Sequence, residues 1–165
     1  MPHDDFWSFA NRLYRQPGVA PACLWLQDNR GADVMLVLFC LWRGLRQGPL
    51  SGEAVAALDG AVAPWRDQVV RPLRGARRWL KEQTDADGDG LRAAIAAAEL
   101  RAEQAQGRLL VNALEALPLP AAPPGIDAAR ANLEHYRTLI AAPGADRELS
   151  ARLQWLLDSA AQGGE

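Results

Sequence analysis

Residues 22–42 read ACLWLQDNRGADVMLVLFCLW, and the second half of this stretch decides the fold. Positions 34–42 form an unbroken apolar run of nine residues. Such a run fits either a buried strand or a helix enclosed by partners. Leu, Met and Phe outnumber the two valines, and the segment continues through Arg43 and Arg46 before Gly48-Pro49 halts it, so the reading adopted is helix. A helix that is apolar on all sides belongs at the centre of a bundle. Asp33, immediately before the run, suits its N-cap, and Asp28 with Asn29 suits the end of the preceding helix.

The flanking segments carry helical composition as well. The spacing predicts a helix over 5–15, capped by Asp4 or Asp5, with Phe6, Phe9, Ala10 and Leu13 as its stripe and Pro17-Gly18 as its stop. A second spans 20–29 and ends at Gly31; a fourth runs 51–59 behind Ser51; a long one covers 62–83 with a kink at Pro72. An Ala-rich helix follows over 91–117. LPLPAAPPG, 117–125, is a Pro-rich spacer, and 126–141 with 145–160 form a pair of helices around Pro143-Gly144. The expected architecture is all-α: a helical bundle of about five helices with a C-terminal helical hairpin. The implied organisation is a core domain at 1–117, a linker at 118–125 and the hairpin at 126–165.

Composition bounds the function. With 165 residues, 49% of them apolar and six tryptophans, the chain is not disordered. A formal charge of −2 gives no global attraction to nucleic acid or membrane. The charge is uneven, though: 51–82 holds six Lys+Arg against four Asp+Glu, while 83–165 holds seven against twelve. Cys23 and Cys40 sit in apolar surroundings and read as reduced, buried thiols. The opening MPHDDFW lacks a signal-peptide pattern, and the longest apolar run is about half a membrane span, so a cytoplasmic protein is expected. His3 and His135 are the two histidines, too few for a His-based metal cage or a triad base. No phosphate loop or nucleophile elbow is present, and no cofactor is expected.

Three stretches could carry function. TDADGDGLRAAIAAAE, 84–99, starts like a calcium loop with Asp85, Asp87, Asp89 and Gly90, but Ala93 and Ala96 stand where two ligand positions fall. It reads as an acidic loop beside a helix N-terminus, not a metal site. In WRDQVVRPLRGARRWLK, 65–81, Arg66, Arg71, Arg74, Arg77, Arg78 and Lys81 fall within about 140° of one another on a helix. This basic face could engage an acidic protein or a nucleic-acid backbone, or be neutralised by the chain's own acidic half. Third, Trp25, Gln27, Asp28 and Asp33 border the central helix and could line a polar pocket for a small ligand. Separately, Leu91, Ile95, Ala98, Ala102, Ala105 and Leu109 mark one side of the Ala-rich helix, which could serve as a homodimer seam over 91–116 or as core.

The ordered set FWSFANRLYRQPGVAPACLWLQDNRGADVMLVLFCLW, 6–42, then WRDQVVRPLRGARRWLK and, faintly, AELRAEQ, resembles a family of short bacterial proteins catalogued as domain of unknown function 2390. In that family an Asn commonly follows the DV pair, where this chain has Met35, which weakens the polar-pocket reading. The resemblance implies a soluble helical protein and transfers no site.

Two accounts therefore compete. A binding or adaptor protein predicts a filled core and an exposed, unpaired arginine row. A ligand-binding protein or enzyme predicts a cavity with convergent polar groups and a perturbed carboxylate at the end of the central helix.

Overall fold

The computed structural model describes residues 1–83, 88–141 and 144–163. Its elements are α1 Pro2–Tyr14, α2 Val19–Arg30, α3 Val34–Arg46, α4 Gly52–Trp65, a π-helical turn Arg66–Val70, α5 Arg71–Lys81, α6 Gly88–Glu115, α7 Ile126–Ile140 and α8 Arg147–Gln162. The protein is all-α, and no strand occurs among the described residues. No helix among them is long and apolar enough to cross a membrane. The acidic run at Asp85, Asp87 and Asp89 has no described side chains, so the calcium-loop question lies outside the described residues.

The apolar run is a helix, and α3 is the axis of the bundle. Met35 to Gly44 are buried without a break, which is why this segment shows no polar face. Asp33 caps it, its Oδ1 accepting from the Leu36 N–H at 3.2 Å. On one side α1 brings Phe6 edge-on to Phe39, ring centroids 5.1 Å apart, with Trp42 beside both. Trp42 Nε1 donates to Asp5 at 2.7 Å. Asp5 is thus a hydrogen-bond acceptor for the core and not a cap: α1 starts at Pro2, whose fixed φ suits a first helical position.

Two further boundaries differ from expectation. The helices expected at 51–59 and 62–83 are one continuous rod from Gly52 to Lys81, because Gly60 costs a helix only about 1 kcal/mol and does not end it. Pro72 follows a π-helical turn. Having no N–H, it breaks the regular ladder, and the turn before it widens so that the Arg71 N–H donates to the Arg66 carbonyl.

The helices beyond the Pro-rich spacer close the other side of α3. Gly44 lets α7 approach so closely that a Cβ at residue 44 would lie 2.2 Å from Ala129 Cα. Buried Asn132 accepts from the Leu50 N–H at 2.6 Å and donates to the Cys40 carbonyl at 3.1 Å. The Tyr136 hydroxyl accepts from the Asp33 N–H at 2.6 Å. The spacer itself is pinned by the Gly125 N–H to the Gly44 carbonyl at 2.9 Å. Over α2, Arg30 and Arg152 of α8 each lie 4.6 Å from the Trp25 ring, and Arg30 pairs with Asp146.

Candidate ligand pocket

The basic face that runs from the π-helical turn along α5 does not look into solvent along its length. Three of its members meet carboxylates on other elements or caps. Arg66 donates to Asp59 at 2.6 Å and to Asp33 at 3.2 Å. Arg74 donates through Nε to Glu99 at 3.0 Å and through Nη2 to Glu103 at 2.9 Å. Arg77 grips Glu99 with Nε and Nη2. Further out, Arg71 pairs with Asp67 at 2.7 Å and Arg78 with Asp28 at 2.8 Å, both at the surface where such pairs contribute little. Lys81 is exposed, with no ion pair among the described residues.

Glu99 and Glu103 are the acidic partners that sequence reasoning missed. They stand one helical turn apart on α6, on the face that continues as Ala102, Gln106, Leu110 and Leu114 into the core. Glu99 is 6% exposed, and its three charge-assisted hydrogen bonds are what make burial of its carboxylate tolerable. Burial pushes the Glu103 carboxyl above its ordinary range, against the opposing pull of Arg74. Burial likewise raises the neighbouring Tyr14 phenol.

The seam proposed on α6 is divided by this arrangement. Ala102 is buried, but Leu91 and Leu109 are 52% and 37% exposed, because the helix turns its Glu99–Gln106 side inward instead.

Between this quartet and the first three helices lies a groove of about 360 Å³. Its apolar wall is Trp7 and Ala10 from α1, Leu24 from α2, and Val34, Met35 and Leu38 from α3. Ala96 and Leu100 of α6 complete it. Its polar side combines Asn11, Tyr14, Gln27, Arg74, Arg77, Glu99 and Glu103. Gln27 Nε2 is buried from solvent and has no hydrogen-bond acceptor among the described residues. The buried guanidinium of Arg43 on α3 also has Nε and Nη1 without partners among the described residues, but it is not part of the groove.

The four residues proposed as a polar pocket are dispersed by the fold. Gln27 lines the groove, and with Asp33 it borders an adjoining crevice of about 40 Å³. Asp33 is committed to structure: besides capping α3, its Oδ2 accepts from Gln106 at 2.6 Å and from Arg66. Asp28 faces solvent with Arg78, and Trp25 lies under the two arginines of the α2–α8 contact. Among the described residues no group of three or more His, Cys, Asp or Glu side chains could hold a metal ion.

The family model described as "Protein of unknown function (DUF2390)" matches residues 5–110, and the chain belongs to that family. The matched span contains every residue that lines the groove, whereas α7 and α8 lie beyond it. No curated protein matches the chain, and no solved structure does.

Proposed function

We propose that this DUF2390 member binds a small amphipathic molecule in the groove between α1, α2, α3, α5 and α6. The observation that supports it is the joining of an apolar wall to convergent polar groups in one concavity of about 360 Å³, the form that small-molecule sites take. The apolar body of the ligand lies against Trp7, Leu38 and Leu100, and its polar end reaches the Arg74–Glu103 side. A neutral apolar fluorophore, N-phenylnaphthylamine, tests it. Wild type should bind the dye saturably at one site per chain, and Ala96→Trp, which fills the groove, should abolish binding. Ala94→Trp, on the exposed side of α6, should leave it intact. Equal binding by all three proteins would refute the pocket.

A second reading keeps support at the far end of α5. There Trp79 is 62% exposed, near Lys81 and the surface pair Arg78–Asp28, a combination of aromatic and cation suited to an acidic protein partner. Capture of the same partner by wild type but not by Trp79→Ser/Lys81→Glu would favour it.

A further inference from the structure

We infer that the polar end of the ligand is a carboxylate, so that the groove takes a small monocarboxylic acid with an aliphatic or aromatic body. This rests on the pocket reading above and concerns only which head group the pocket selects.

The polar side of the groove keeps hydrogen-bond donors that no described protein group takes. Arg74 spends Nε and Nη2 on Glu99 and Glu103, and Arg77 spends Nε and Nη2 on Glu99. The Nη1 group of each therefore has no acceptor among the described residues. Gln27 Nε2 is a third donor, buried and without an acceptor. On the acceptor side, Glu99 already takes three hydrogen bonds, and Glu103 Oε1 takes one from Arg74, which leaves Glu103 Oε2 as the free carboxylate oxygen beside the neutral oxygens of Asn11, Tyr14 and Gln27. Among the charged groups, free donors thus outnumber free acceptors at the end of the groove. A ligand cation would face two guanidinium groups and find one free carboxylate oxygen. An uncharged carbonyl could satisfy only part of the set. A carboxylate has two acceptor oxygens, and the planar edge of a guanidinium matches it.

Charge balance gives Glu103 its role. The two arginines and two glutamates sum to zero, so an entering anion gains most if one carboxylate is neutral. Glu103 is the member that can be: unlike Glu99, it carries a single hydrogen bond from a cation, and burial already favours its protonated form. Protonated, it donates to one ligand oxygen while Gln27 and the guanidinium groups hold the rest. The charged and titratable groups around it are Tyr14 from α1, Asp33 before α3, Arg74 and Arg77 from α5, and Glu99 on its own helix.

The test is displacement of N-phenylnaphthylamine from the full chain by phenylbutyrate and by phenylbutyramide, which share a body and differ in head group. Phenylbutyrate should displace the dye at about tenfold lower concentration than the amide. Gln27→Leu should shrink that preference, with each displacement read against the variant's own dye affinity. Glu103→Gln should keep or increase the affinity for phenylbutyrate. If the dye binds but acid and amide displace it equally, or if Glu103→Gln weakens phenylbutyrate, the head-group inference is overturned while the pocket stands. If the dye does not bind, both fall.

Discussion

Arg74 on α5 donates to Glu103 on α6 at 2.9 Å, and the same guanidinium reaches Glu99 at 3.0 Å. One side chain thus joins the two helices and compensates two carboxylates on the polar side of the groove. Substituting Arg74→Met keeps the packing stem and removes the charge. The expected loss is about 3 kcal/mol, the cost of leaving a largely buried carboxylate without its partner. The sign of its pH dependence follows from Glu103. Without Arg74 its carboxyl rises further above the usual range, so the penalty falls on the charged form. Urea unfolding of the variant should therefore show its largest deficit at about pH 8 and a smaller one at about pH 5.

Ligand affinity should depend on the same charge. Burial raises the Glu103 carboxyl above its ordinary value of 4.5, and its protonated form is the one that accepts an anion. Phenylbutyrate affinity should fall as pH rises through that raised pKa, while binding of the neutral dye stays level. In Glu103→Gln the decline should disappear. A decline of equal size in both proteins would place the titrating group elsewhere.

Gly44 and Gly60 make a matched pair for the bundle. A methyl group at residue 44 would meet Ala129 backbone at 2.2 Å, so Gly44→Ala must push α7 away from α3, costing about 3 kcal/mol. At Gly60 nothing lies within 4 Å, and Gly60→Ala should stabilise by about 0.5–1 kcal/mol. Thermal melts of the two variants should shift in opposite directions.

Cys23 and Cys40 are both fully enclosed, and burial pushes each thiol up to about 12. Neither should react with iodoacetamide in the native protein at neutral pH, because the thiolate is the reactive form. Labelling measured by mass spectrometry should begin only as urea unfolds the chain, and it should reach both residues together.

The fold was legible where a single helix announces its own environment. A nine-residue apolar run can be buried only in the middle of a bundle, and the aspartate before it could cap it without help from distant residues. Continuity was less legible. Asp59-Gly60 and Pro72 look like breaks, but a rod packed along its length absorbs one glycine, and a widened turn absorbs the proline. Of the groove's polar residues, Gln27 was legible as pocket-lining and Arg74 and Arg77 only as a basic face. The other parts of the groove arise from pairings between residues far apart in sequence, Arg74 and Arg77 with Glu99 and Glu103, which periodicity on either helix alone does not reveal. The signal that could have found them lies in AELRAEQ. There two glutamates one turn apart share a face with Ala102 and Gln106, so the inward side of an Ala-rich helix carried acid, and a basic helix preceded it.

The most direct measurement is a pair of amide correlation spectra of isotopically labelled protein, with and without phenylbutyrate. The account predicts that the largest shifts fall on the Gln27 side-chain amide, the Trp7 indole and the backbone of Ala96 and Leu100, with α7 and α8 unchanged. Shifts absent from these groups, or spread evenly over the chain at saturating phenylbutyrate, would contradict it.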